Sequence, residues 1–387
     1  MKINIITRHN IINYGSVLQS YALQHVLEIM GHQVEIIDYV RKDEEYKNIA
    51  LVLAKNKDNR SKNVLKKAAF IIGKSIEFML CGARFRKYAC RYLHLTATRY
   101  SSLTELKKEN WQCDALMTGS DQVWGGIGND YFDPAYYLDF GSVRIPKFSY
   151  AASFGRTDLD TDVYDRIPQY LKQYKRLTAR EDSAVDILHK LGFPQAEQVL
   201  DPTLLLTPSE WDKVVSREPL KKDYTKEKYI LVYQRRPNKT IDNYASQLGK
   251  VSGLKVYRIS SDLHQIFRPG DLVFLPNFHD FIECIKHSSL LVTDSFHGTA
   301  FAINYNVPFV DILPKGTATR NLSILQLCNL KDRVVSDLND FSYIDKTIDF
   351  SFANDVLSRE RKRSIDILHK MLNSVSKYGS NNKQTKV

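Results

Sequence analysis

Residues 2–39 read KINIITRHNIINYGSVLQSYALQHVLEIMGHQVEIIDY, and the apolar rhythm of that stretch decides the fold class. Residues 2–7 carry Ile3, Ile5 and Ile6 and are strand-like, and residues 8–16 are a polar loop. Residues 17–30 then place Val17, Leu18, Tyr21, Ala22, Val26 and Leu27 at helical spacing. Gly31 stops that helix, and residues 33–39 form the next strand. Two short apolar strands joined by a helix pair in parallel, because only a crossover brings the second strand back in the same direction.

The same alternation continues outward. Strands are expected at 115–118, 147–151, 177–179 and 198–200, with helices at 163–174 and 182–191. The dipeptides Asp201-Pro202 and Thr207-Pro208 disfavour a continuing element and mark a junction. A second series follows, with strands at 229–234, 255–259, 290–293 and 309–312 and helices at 241–251, 278–287 and 298–305. A chain of 387 residues exceeds what one core usually serves. The expectation is therefore α/β, with two Rossmann-like, doubly wound domains facing a cleft where strand ends meet a ligand. The first spans 1–200 and includes a basic, mostly helical insertion at about 41–104. The second spans 209–345, followed by a helix at 349–376 and a disordered polar tail at 378–387.

Composition narrows the partners. Lys and Arg outnumber Asp and Glu by 55 to 44, a net charge of +11, which suits an anionic partner. The insertion concentrates that charge. Lys55, Lys57, Arg60, Lys62, Lys66 and Lys67 precede the apolar run 68–83, and Arg84, Arg86, Lys87 and Arg91 follow it. This is either a helical pair with a basic wet face or a peripheral patch for an anionic membrane. Aromatic and basic residues do not interleave as in an RNA-binding sheet, so no nucleic-acid partner is expected. Five cysteines without a CxxC pair argue against a disulfide framework or zinc site. With neither a signal-peptide pattern nor a stretch of roughly 20 apolar residues, a cytoplasmic protein is expected, with peripheral contact at the inner membrane face as an option.

The chemistry concentrates where strands run into helices. In Leu290-Leu291-Val292-Thr293-Asp294-Ser295-Phe296-His297-Gly298 a buried strand passes through a polar turn into a helix of small residues. Such a turn presents backbone N–H groups and the positive end of the helix dipole to an anion. His297 can donate to phosphate or move a proton there, or serve only in packing, with Ser295 or Thr293 as the cap. Asn13-Tyr14-Gly15-Ser16 holds the equivalent place in the first domain, where Asn13 and Ser16 offer hydrogen bonds and Gly15 a close backbone approach. In Gly119-Ser120-Asp121-Gln122-Val123-Trp124, Asp121 and Gln122 can hold sugar hydroxyls, and Trp124 either stacks on the sugar or packs in the core. Arg180 precedes Glu181 and Asp182, which suit a helix cap, and binds either an anion or an internal carboxylate. Arg235, Arg236 and Arg320 are further loop arginines able to grip phosphate or carboxylate. No P-loop, HExxH or GxSxG motif is present, and no metal site is expected.

Taken together these pieces resemble the polysaccharide pyruvyl transferase family. The matching runs are Asn13-Tyr14-Gly15-Ser16, Gly119-Ser120-Asp121-Gln122-Val123-Trp124, Ala151-Ala152-Ser153-Phe154-Gly155 and Arg180-Glu181-Asp182-Ser183. Asp201-Pro202-Thr203-Leu204-Leu205 and Thr293-Asp294-Ser295-Phe296-His297-Gly298 complete an ordered series across residues 3 to 330. The resemblance implies a glycosyltransferase B-like fold and phosphoenolpyruvate as donor substrate, with no cofactor. It also implies a sugar acceptor, often lipid-linked, in a capsule, exopolysaccharide or similar polymer. His297 then matches the family's histidine and acts as acid/base or phosphate donor. Arg320, Arg235 and Arg180 are assigned to anion binding, and Asn13, Gly15, Ser16, Asp121 and Gln122 to the acceptor side. Many members carry an arginine where this chain has Ser295, so another cation grips the donor here, or the donor differs. The competing readings are a nucleotide-sugar glycosyltransferase of the same architecture and a non-catalytic glycan- or metabolite-binding protein.

Overall fold

The computed structural model describes residues 1–56, 64–125, 132–235, 238–313 and 318–381. The chain divides into two compact units, Met1–Pro202 together with Ser364–Val387, and Thr203–Arg363.

The first unit opens as its sequence dictates. Strand β1 (Lys2–Ile6) leads through a loop into α1 (Tyr14–Ile29), and β2 (Gln33–Tyr39) returns parallel to β1 with Ile3 opposite Val34. Asn13 caps α1, its side chain accepting from the Gly15 amide. Helices α2 (Tyr46–Asn56) and α3 (Val64–Tyr92) precede β3 (Leu95–Tyr100), then α4 (Leu103–Lys108) and β4 (Ala115–Thr118). Next come β5 (Lys147–Ser149), α5 (Thr161–Leu171), β6 (Tyr174–Arg176), β7 (Thr178–Ala179), α6 (Asp182–Lys190) and β8 (Glu197–Gln198). The main sheet has the order β3-β2-β1-β4-β5-β6, all parallel, and β7 pairs with β8 beside it. Ile3, Ile5 and Ile6 are fully buried, as expected for a central parallel strand covered on both faces. Strand order reverses between β1 and β4, which makes their C-terminal ends the switch point where such sheets hold ligands.

The second unit repeats the plan. It begins with α7 (Pro208–Val215), then β9 (Tyr229–Tyr233), α8 (Lys239–Ser252), β10 (Lys255–Ser260), β11 (Asp271–Phe274) and α9 (Phe278–Lys286). Strand β12 (Leu290–Thr293), α10 (Phe296–Asn304), β13 (Phe309–Asp311), α11 (Thr319–Leu327) and α12 (Ser351–Asn381) follow. The parallel order is β11-β10-β9-β12-β13, with its switch point between β9 and β12. The second half of α12, from Ser364, belongs to the first unit, where the Ser364 hydroxyl accepts from the Leu200 amide at 3.0 Å.

Several elements differ from the sequence reading. The segment expected to be a helical insertion ends in β3, an edge strand of the sheet itself. Its exposed, polar Thr96–Arg99 core lacks the apolar run that marks a buried strand. Thr207-Pro208 starts a helix rather than interrupting structure. Thr207 and Glu210 form a reciprocal capping box, and Pro208 occupies the first helical turn, where its missing N–H costs nothing. Helix α12 runs on through Asn381, into the expected tail, and residues 382–387 lie outside those described. Among the described residues no helix is long and apolar enough to cross a membrane.

Candidate functional site

At the switch point of the first unit the sequence-singled residues form one buried network. The Asn13 side-chain amide donates to Ser16 Oγ at 2.9 Å, and Ser16 Oγ donates to Asp121 Oδ2 at 2.6 Å. Asp121 sits in the left-handed region with φ of 74°, a conformation that a short polar side chain tolerates better than most, and its Oδ1 accepts from the Gln122 amide. Gln122 lies against Gly155. A Cβ at that glycine would fall 1.8 Å from Gln122 Nε2 and push that side chain aside, and the φ of 66° is one that residues other than glycine rarely adopt. Asn13, Gly15, Ser16, Asp121 and Gln122 are thus placed together by α1 and the loop after β4.

Arg180, after β7, joins the same network. Of the two roles open to it in the sequence, the geometry supports the internal one. Its Nη1 donates to Asp201 at 2.8 Å, while Glu181 lies 3.5 Å and Asp121 3.9 Å from its other nitrogens. The side chain is 1% exposed. Burial works against the charge, yet Asp201, Glu181 and Asp121 raise the guanidinium pKa above its ordinary value. Ser153 Oγ and the Gly155 amide donate to Glu181, and Ser120 Oγ donates to Asp201. Three carboxylates surround this one guanidinium, so the network holds more acids than bases. Trp124 is core rather than a sugar platform. It is 1% exposed, stacks on Tyr137 with centroids 5.7 Å apart, and packs on Phe154.

Beside this network lies a group the sequence reading did not single out. Asp38, near the end of β2, meets His9 Nε2 at 3.0 Å and a two-pronged donation from Arg86 of α3 at 2.9 and 2.6 Å. Burial alone would raise the Asp38 carboxyl, but hydrogen bonds from His9 and Arg86 outweigh it and hold it down at about 2. An acid at the end of the second strand is where dinucleotide-binding domains grip a ribose. Here α3 supplies its partner from within the chain.

At the switch point of the second unit, Ser295 caps α10. Its hydroxyl accepts from the Gly298 amide at 3.4 Å, and its own amide donates to Thr293 Oγ1. Ser295 therefore has a helix-capping task. His297 stands in the first helical turn rather than in the preceding turn, and is 3% exposed. A Cβ on Gly298 would fall 2.6 Å from Thr293 Oγ1, a hydroxyl already held by its donation to the Tyr233 carbonyl. Glycine is thus required for the helix to start so close to the strand. Across the switch point, the Arg235 amide donates to Asp294 Oδ1 at 2.8 Å, fixing the exposed Arg235 beside the start of α10. Arg320 is half-buried in the first turn of α11. Arg236, and Lys57, Arg60 and Lys62 of the basic insertion, lie outside the described residues.

Asp311, at the end of β13, was not legible as a site residue. It is fully buried, and its Oδ2 accepts from Thr299 Oγ1 and Asn321 Nδ2, both at 2.7 Å. This ties α10, which bears His297, to α11, which bears Arg320. Burial raises the Asp311 carboxyl to about 7, against weaker lowering by Asn321 and Thr299. The folded state therefore holds a proton that the unfolded chain releases above 3.8. Stability falls as pH rises from about 4 to about 7, by on the order of 4 kcal/mol from this group. Asp311→Asn is expected to flatten that part of the profile, read as urea midpoints between pH 4 and 8. An unchanged slope contradicts the assignment.

Among the described residues no group of three or more His, Cys, Asp or Glu side chains is arranged to hold a metal ion. No curated protein sequence matches that of the chain. Among solved structures it is similar to the UDP-GlcNAc 2-epimerase of Methanocaldococcus jannaschii in complex with UDP-GlcNAc and UDP. The TM-score is 0.50 at 13% identity, covering 97% of this chain and 100% of that one. It is also similar to the UDP-GlcNAc 2-epimerase of Neisseria meningitidis bound to UDP-GlcNAc, with a TM-score of 0.46 at 12% identity and the same coverage. The first likeness shows the fold, of the glycosyltransferase B type, expected from the sequence. The sequence model of the polysaccharide pyruvyl transferases matches residues 13–313, from the Asn13 cap of α1 to just beyond β13. The chain belongs to the polysaccharide pyruvyl transferase family and is a transferase.

Proposed function

We propose that the chain moves pyruvate from phosphoenolpyruvate onto two hydroxyls of one sugar in a cell-surface polysaccharide or its lipid-linked precursor, with no cofactor. The family match carries this reading, and the chemistry of the two switch points is compatible with it. Phosphoenolpyruvate bears a phosphate and a carboxylate, and the second unit offers the start of α10, Arg235 and Arg320. The first unit offers Asn13, Ser16, Asp121 and Gln122, side chains able to hydrogen-bond sugar hydroxyls, within a network that holds more acids than bases.

In the proposed reaction His297 gives a proton to the methylene carbon, leaving a cationic centre at the neighbouring carbon. A sugar hydroxyl adds there and releases its proton to a base. A second hydroxyl of the same sugar then attacks that carbon and passes its proton to the departing phosphate as the carbon–phosphate oxygen bond breaks, so inorganic phosphate leaves protonated. The product is a cyclic ketal that keeps the carboxylate, so the glycan gains one negative charge. Without the common arginine at Ser295, the grip on the donor falls to Arg235 and Arg320.

Donor choice is tested by thermal unfolding with phosphoenolpyruvate or with UDP-sugars. At 100 times its dissociation constant a ligand stabilises by about 2.7 kcal/mol, which is readily visible as a rise in Tm. The proposal expects that rise with phosphoenolpyruvate. A rise with a UDP-sugar and none with phosphoenolpyruvate contradicts it and supports a nucleotide-sugar glycosyltransferase.

A further inference from the structure

Helix α3 turns one face to its own unit and the other to solvent, and the solvent face also carries a stripe of apolar residues. Phe85 and Tyr92 are buried against Tyr14 and Tyr21 of α1, and Cys81, Tyr88 and Ala89 share that side. On the other side Ile72 is 61%, Ile76 52%, Met79 58% and Leu80 61% exposed. At 100° per residue these four, with the exposed Ala68, Ala69 and Ala83, fall within about 120° of arc along some 22 Å of helix. Four large aliphatic side chains in one stripe are not the scattered apolar residues of an ordinary surface.

Charge identifies what covers the stripe. Helices α2 and α3 carry nine Lys and Arg, two on α2 and seven on α3, against a single acid, Glu77. Glu77 is 5% exposed and paired with Lys74 at 2.5 Å, so no carboxylate of α3 borders the stripe. Just C-terminal to it, Lys87 and Arg91 are exposed. The geometry points to an anionic lipid bilayer as the occupant, with α3 lying in the plane of the surface. The aliphatic stripe enters the headgroup–acyl boundary, and the exposed Lys87 and Arg91 meet lipid phosphates. A protein partner would have to be both apolar and acidic to match the same face, and a second copy of this basic helix would meet it with like charge.

The test is co-sedimentation of the full chain with vesicles of phosphatidylcholine alone or mixed with phosphatidylglycerol. The wild type is expected to pellet with the mixed vesicles and to be released by salt. Ile76→Ser with Met79→Ser is expected to weaken partitioning about tenfold or more while Tm holds. Lys87→Glu with Arg91→Glu is expected to do the same on mixed vesicles only. Absence of wild-type binding, or binding that neither pair of changes alters, overturns the proposal. So does a wild-type dimer that the Ser pair converts to monomer, which would assign the stripe to a second copy.

Discussion

His297→Ala is expected to fold and to release phosphate from phosphoenolpyruvate, in the presence of acceptor, about 100-fold or more slowly than the wild type. That is the usual scale of help from one positioned acid or base. The ring stands in the first turn of α10, and the strand–helix junction that places it is held by contacts independent of the imidazole. Ser295 caps the helix, Thr293 Oγ1 holds the Tyr233 carbonyl, and Gly298 permits the close start. The large loss should therefore appear in kcat, with a fall in the unfolding midpoint from the cavity left by the buried ring. Because the ring is buried, His297→Gln, which keeps much of its volume and a hydrogen-bonding group but cannot deliver a proton, separates chemistry from packing. The same loss in both variants supports proton transfer. Full activity in His297→Gln removes the histidine from the acid step.

Arg180→Met is expected to destabilise the first unit by about 3–5 kcal/mol, because it leaves buried carboxylates without their cation. Glu181 is 0% and Asp201 2% exposed, so water cannot take over the role. Methionine keeps most of the volume of the stem, so the loss reports charge rather than a cavity. Arg180→Lys should recover only part of it, since one ammonium cannot reproduce the planar fork shared among Asp201, Glu181 and Asp121. The measurement is the urea midpoint of each variant. A midpoint within error of wild type for Arg180→Met would show that the arginine is not the internal counter-ion.

The fold was legible because its signals are local. An apolar run of three to six residues, then a polar turn, then helical spacing, repeats through both units, and buried parallel strands cannot be written any other way. The elements that escaped carry weak signals. Strand β3 is exposed and polar, and α7 hides behind a proline that ordinarily breaks structure. At the first switch point the short motifs Asn13–Ser16 and Gly119–Trp124 pointed to residues that do converge, because one opens the helix after β1 and the other follows β4, its neighbour in the sheet. What the sequence could not supply was the pairing. That Arg180 is spent on Asp201, that Arg86 reaches back to Asp38, and that Asp311 bridges α10 and α11 through Thr299 and Asn321 are long-range facts with no local mark. Trp124 shows the converse limit. A tryptophan after a strand fits a sugar platform or a core equally, and only its three aromatic neighbours decide.

The central claim is a pyruvate ketal made from phosphoenolpyruvate, and one incubation tests it most directly. Polysaccharide from a strain lacking this gene is mixed with the full chain and phosphoenolpyruvate in heavy water, and the glycan is examined by NMR and mass spectrometry. The account predicts a new ketal methyl on the sugar bearing one deuterium, with one inorganic phosphate released per ketal. A glycan left without that methyl, or one that instead gains a sugar when a UDP-sugar is supplied, would contradict it.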